Sequence, residues 1–278
     1  MEMRQIIILI FGFLMVSCTE ILVMVPEFEP PTSERVVLVE ELTGASCPAC
    51  PAGAEELASL KTLYGDQIVI IGIHGDFQSW PTAESLYDFR NDDAFELENY
   101  LKPWQGKPAA SINRVQFPGQ EYFAVDQDYW GNFIDQELNK EHVVNLELDI
   151  NYDIDTRVVS IKAGIIPLKD LSGEFRFSLG LLENHIIDAQ KNQTTIIEDY
   201  EFEHVLMDMI TNPLGDPIGN SLEKNKIINL TYNYTLPEAT TPEELLWIPE
   251  DCEIVGFIHY GETDRKEVLQ AVKSAIIQ

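Results

Sequence analysis

The run Ile68-Val69-Ile70-Ile71-Gly72-Ile73 contains no polar side chain, and it constrains the fold more than any other feature of the chain. A strand that apolar on both sides needs cover on both faces, as in a sheet with helices packed against it. A second β-branched run, Val36-Val37-Leu38-Val39, precedes it. Between the two stand the polar turn Thr43-Gly44-Ala45-Ser46 and the pair Cys47-Pro48-Ala49-Cys50. Ala54, Leu57, Leu60 and Tyr64 then recur at three- and four-residue spacing, which predicts an amphipathic helix ending near Gly65. The local order is strand, cysteine pair at a helix start, helix, buried strand.

A C-x-x-C turn brings two sulfurs close enough to form a redox switch, a structural disulfide or half of a metal site. At a helix mouth the amino-terminal dipole favours thiolate over thiol, and thiolate is the attacking species in disulfide exchange. Pro48 suits the first turn of that helix, whereas Pro51 removes a hydrogen bond one turn in and bends it there. Tetrahedral metal sites want four ligands, and the chain offers one C-x-x-C and no H-x-x-x-H. Copper at the two sulfurs with His74 is the remaining metal alternative to an ordinary strand-end histidine. No metal and no cofactor is therefore expected. Cys252, before the apolar strand Ile254 to Ile258, reads as a small buried hydrophobe. Asp149, Asn151, Asp153 and Asp155 read as the solvated face of an acidic sheet, in preference to a calcium site.

With 47 Asp and Glu against 18 Lys and Arg, the formal net charge of −29 repels phosphate backbones, so nucleic acid is excluded as a partner. The first residues carry a weakly basic head and the apolar run Ile6 to Val16, too short to span a bilayer and suited to a secretory signal. That segment ends Leu14-Met15-Val16-Ser17-Cys18, which resembles a bacterial lipobox. The resemblance implies removal of residues 1–17 and acylation of Cys18, so that the protein attaches to a membrane through an amino-terminal lipid. The alternative is an ordinary signal with Cys18 incidental. The compartment is then outside the cytoplasm, where a disulfide persists.

Residues 19–34, with Pro26, Pro30 and Pro31, read as an extended tether. Residues 75–106 read as a helical insertion with Trp80, Leu86, Phe89, Phe95, Leu97 and Leu101 on its apolar face. Tyr129 to Leu138 gives a further helix, and the first domain closes near Lys140. From Val143 the period shortens to two. Val144 to Ile150, Val158 to Ile166, Phe175 to Leu182, Ile227 to Tyr234 and Ile254 to His259 read as strands of an antiparallel sandwich, with a closing helix over Lys266 to Ile277.

Residues 36 to about 140 resemble a thioredoxin-like domain. The resemblance implies that Cys47 attacks, that Cys50 resolves the mixed disulfide, and that Glu41, six residues before Cys47, is a buried carboxylate relaying a proton to Cys50. It also implies a cis peptide at Lys107-Pro108, whose backbone holds a partner's chain, with protein thiols or disulfides as partners. Ser46 stands where well-known members have tryptophan, and Lys107 where they have a small or β-branched residue.

Over the whole chain, the lipobox, Thr43-Gly44-x-x-Cys47-x-x-Cys50-Pro51, the Pro108-x-x-x-x-Asn113-Arg114 segment and the stretch from His204-Val205-Leu206 to Pro217-Ile218 are together similar to the Omp-twenty-eight-related outer-membrane lipoproteins. The expected plan is α/β plus β. Residues 1–17 form the signal peptide, 18–35 a lipid-anchored linker, 36–141 the thioredoxin-like domain with its helical insertion, and 142–278 an antiparallel β-sandwich-like domain. The expected location is the cell envelope at the outer membrane. The expected function is thiol–disulfide exchange through Cys47 and Cys50. The rival is a surface binding or adhesive lipoprotein in which their disulfide is structural.

Overall fold

Both apolar runs are buried strands. In the computed structural model, which describes residues 34–239 and 245–277, β1 (Val37–Leu42) and β2 (Ile68–Ile73) are buried at every position. They lie parallel, Val37 opposite Ile68, because α1 (Cys50–Tyr64) carries the chain across one face of the sheet between them. After β2 come α2 (Asp92–Tyr100), β3 (Ala109–Ile112), β4 (Ala124–Val125) and α3 (Trp130–Leu138). The expected signal peptide, Cys18 and the expected tether up to residue 33 lie outside the described residues.

Among the described residues, the regular elements after α3 are all strands. They are β5 (Val144–Asp153), β6 (Val158–Pro167), β7 (Leu171–Glu183), β8 (Ile186–Asn192), β9 (Thr195–Phe202), β10 (Val205–Met209), β11 (Asp216–Leu222), β12 (Ile228–Thr235), β13 (Cys252–Tyr260) and β14 (Val268–Ala275). Nine strands of the chain form one mixed sheet in the order β14-β13-β7-β10-β2-β1-β3-β4, with β11 on the outer half of β7. Strands from both sides of residue 141 therefore share a sheet, joined where Val205 of β10 meets Gly72 of β2. A second sheet, β12-β6-β5, lies over β7 and β13, with Leu146, Ile161 and Ile165 packed among Phe175, Phe177, Ile254 and Ile258. The third sheet is the β8–β9 hairpin alone. The fold is thus mixed and sheet-dominated, with few helices and several sheets. Among the described residues no helix is long and apolar enough to cross a membrane.

Two expectations are corrected. Only α2 of the segment 75–106 is helical, and it begins where the Asn91 side chain accepts from Ala94 N at 2.7 Å. Before it the backbone bonds elsewhere: Leu86 N and Tyr87 N donate to the Asp188 carboxylate of β8 at 2.7 and 3.0 Å. Phe89, Leu97 and Leu101 are buried, whereas Trp80, Leu86 and Phe95 are exposed. The closing helix is the strand β14, paired with β13 from Glu253–Ala275 to His259–Val268. Its apolar spacing suits either structure, and the open edge of β13 decides.

The Asn113-Arg114 pair is a structural joint. Asn113 Oδ1 accepts from Leu38 N at 2.8 Å. The buried Arg114 guanidinium bonds the Glu40 carboxylate at 2.6 to 3.1 Å and lies 4.9 Å from the Phe257 ring.

Candidate functional site

β1 ends beneath a tight loop that carries the cysteine pair. Cys47 N donates to Gly44 O at 2.9 Å, and the Cys47 and Cys50 sulfurs are joined in a disulfide with their Cα atoms 5.4 Å apart. The helix starts later than the spacing suggests: Ala49 is the N-cap and Cys50 the first helical residue. Pro51 consequently sits in the first turn, where its missing N–H leaves nothing unpaired and causes no bend. Pro48 lies before the helix.

Glu41 of β1 lines the same cleft as Cys50. Burial is the main influence on its carboxyl and pushes it up to about 8, against the opposing pull of the Lys107 ammonium and the Thr43 hydroxyl. It is thus largely protonated at neutral pH, and its Oε1 has no hydrogen-bond partner. Gly53 lets α1 approach this point closely. A Cβ there would lie 2.7 Å from Pro108 Cβ and 3.3 Å from Glu41 Oε1. The Lys107–Pro108 peptide is cis. The Lys107 side chain turns inward, with Nζ donating to Glu98 Oε2 at 2.7 Å, Ser79 Oγ at 2.7 Å and Thr43 O at 2.8 Å. The sequence-predicted residues Cys47, Cys50, Glu41 and Pro108 are therefore gathered around the first turn of α1.

His74 closes β2 beside them, its ring 5.1 Å from Phe89 and 5.8 Å from Phe202. Burial, aided by Lys107, lowers it to about 3, so it is neutral. Cys252 is fully buried at the start of β13, and burial pushes its thiol up. Asp153 Oδ1 accepts from Asp155 N and Thr156 N in a surface turn.

Sequence reasoning did not find the cover. Cys47 is 0% and Cys50 2% exposed, so no solvent-borne thiolate reaches the disulfide in this conformation. The β8–β9 hairpin shields it. Gln190 Nε2 donates to Cys47 O at 3.0 Å and to Gly44 O at 3.3 Å, Lys191 N to Ala45 O at 2.9 Å, and Gln193 N to Pro48 O at 2.9 Å. On the other flank Ser46 Oγ donates to Trp80 O. The polar turn Asn192-Gln193-Thr194 between Ile186-Ile187 and Ile196-Ile197 was the one available signal of a hairpin, and it says nothing of where the hairpin lies. Its base also carries the exposed group His185, Glu201 and Glu203, with His185 Nδ1 2.8 and 3.0 Å from the two carboxylates.

A mixed-sheet body holding a shielded disulfide is the class that fold and site define. Residues 97–278 match the family of outer membrane protein Omp28, and the chain belongs to that family of outer-membrane proteins of the cell envelope. Among solved structures it is similar to HBP35 of Porphyromonas gingivalis, at a TM-score of 0.68 and 13% identity over 88% of this chain and 76% of that one. It is also similar to a structural-genomics protein of Agrobacterium tumefaciens, at 0.53 and 12% identity over 89% and 97%. A domain of the outer membrane lipoprotein Omp28 from Porphyromonas gingivalis shares 19% identity over 49% of this chain and 90% of that domain, at a TM-score of 0.34. The first two likenesses concern the fold alone. No curated protein matches the sequence.

Proposed function

We propose that this lipoprotein, anchored through an acylated Cys18, exchanges disulfides with protein partners at Cys47 and Cys50, on a thioredoxin-like body made of β1, α1, β2, β3 and the Lys107–Pro108 turn. The observation that carries the reading is the buried carboxyl of Glu41, which lines one cleft with Cys50 and lies beside Pro108 at the close approach of Gly53; burial keeps it protonated near pH 7. A partner thiolate attacks Cys47 Sγ, the S–S bond breaks, and its electron pair passes to Cys50 Sγ. Glu41 supplies the proton that the leaving sulfur takes up. A second partner thiolate then displaces Cys47, leaving the partner oxidised and the pair reduced. The backbone around Pro108 holds the partner's chain once the hairpin has moved aside.

The test is a glutathione redox titration of the purified protein, with a Cys50→Ala variant used to trap mixed disulfides in cells. Trapped partners and a potential above about −300 mV support exchange. A pair that stays oxidised below about −300 mV and traps nothing sinks it.

The complete burial of Cys47 favours a second reading, a surface binding lipoprotein in which the disulfide is a staple. Digestion by protease added to intact cells supports this second reading, and protection supports a periplasm-facing exchanger.

A further inference from the structure

Between α1 and the β8–β9 hairpin lies a cleft of about 560 Å3, within the range of small-molecule sites. It uses a different face of α1 from the groove beside Pro108. Cys50, Ala54, Leu57 and Ala58 line the cleft, whereas Ala49 and Ala52 line the groove.

The floor of the cleft is polar and unsatisfied. Glu41 and His74 both line it, are 6% and 1% exposed, and each keeps a buried atom without a hydrogen-bond partner, Glu41 Oε1 and His74 Nδ1. A buried polar atom left unpaired costs about 1–3 kcal/mol, so two residues that line one cleft and each hold such an atom would gain from a hydrogen-bonding group brought to them by a small side-chain turn. The floor is also uncharged, since burial keeps Glu41 protonated and His74 neutral near pH 7. The Lys107 ammonium behind both is already paired with Glu98 at 2.7 Å, so an ionic head would be desolvated there without a free countercharge. The walls are apolar and aromatic, with Leu57, Tyr200 and Phe202, and the mouth carries the exposed Glu55, Glu201 and Glu203 against the single half-buried cation Lys61, a net negative charge that disfavours anions.

We propose that this cleft binds a small uncharged aromatic molecule bearing a hydroxyl or carbonyl group. The ring lies against Tyr200 and Phe202, and the polar group meets Glu41 and His74. The site is complete while the disulfide is formed, so it does not depend on exchange at the cysteines.

Calorimetric titration of the detergent-solubilised, oxidised full chain tests it with three probes of one shape: para-hydroxyacetophenone, para-ethyltoluene and the anion para-hydroxybenzoate. The first should bind with a Kd below about 1 mM and at least about tenfold more tightly than the other two, because a site built on hydrogen bonds rejects analogues that lack them. Glu41→Leu and His74→Phe should each weaken it at least about tenfold. Ala58→Trp changes an exposed position that leaves the core untouched, plugs the mouth, and should abolish binding. The proposal is overturned if para-hydroxyacetophenone shows no saturable binding below about 1 mM, if para-ethyltoluene binds as tightly, or if Ala58→Trp leaves the affinity unchanged.

Discussion

Glu41 makes the stability of the protein depend on pH, and it is also the proton donor of the exchange proposed at the cysteine pair. Its carboxyl ionises near 4.5 in the unfolded chain and near 8 in the native protein, because burial penalises the charged form. Between those values the native state holds a proton that the unfolded state has released, so stability falls as the pH rises. The contribution is whole below about 4.5, is lost through about 8, and is flat above that. Its size is on the order of a few kcal/mol. Glu41→Gln removes this dependence and leaves the other titrating groups in place. Urea unfolding from about pH 4 to about pH 9 should show wild-type stability falling relative to the variant across that window. A difference that does not change with pH would mean that the carboxyl titrates as in water. At this scale the site was half legible. Glu41 and Pro108 were found through a family spacing, Cys47 and Cys50 through their own. His74 was seen only as a strand end or a copper ligand, because nothing near it in sequence announces the cleft that it shares with Tyr200 and Phe202.

The β8–β9 hairpin belongs to neither large sheet and holds the cysteine loop by hydrogen bonds from Gln190, Lys191 and Gln193. Its flanks turn at His185 and His204, both at φ 58°, which lets the hairpin leave the line of β7 and return at β10. Gln190→Ala leaves the carbonyls of Gly44 and Cys47 without that donor, at a cost of about 1–3 kcal/mol. If reductant reaches the disulfide only when the hairpin lifts, reduction by dithiothreitol should speed up roughly 5- to 150-fold, in step with that cost. Alkylation of the freed thiols over time measures it. An unchanged rate would show that the disulfide is reached by another route. The elements that the sequence made legible are those with a strong internal period: β1, α1, β2, α3, β5, β6, β7, β12 and β13. The hairpin, β10 and β11 were not legible, and β14 was read as a helix. In each of these the local pattern is weak or ambiguous, and a partner far along the chain supplies the hydrogen bonds. Cys47 and Gln190, for example, are 143 residues apart.

Across the whole molecule, the change of period near residue 143 marks where strands take over from alternating helices and strands, and the core does not divide there. Leu38, Leu42, Val69 and Ile71 share one apolar cluster with Leu182, Leu206, Val255, Phe257 and Val268. Arg35 donates to Val268 O and Leu269 O of β14 at 3.1 and 3.0 Å and to Glu137 of α3 at 3.0 Å. Arg114 ties β1 to the β13 face through Glu40 and Phe257. A body bound together in this way should unfold as one unit. Tryptophan fluorescence, which includes the buried Trp130 of α3, and amide hydrogen exchange read on the strands after residue 143 should give coincident urea transitions. Arg114→Met strands a buried Glu40 carboxylate and costs about 3–5 kcal/mol. Both transitions should then move together to lower urea. Two separated midpoints, or a shift confined to one probe, would instead mean that the halves are held as independent domains, and residues 34–141 expressed alone would then fold with β2 exposed along the edge that β10 covers here.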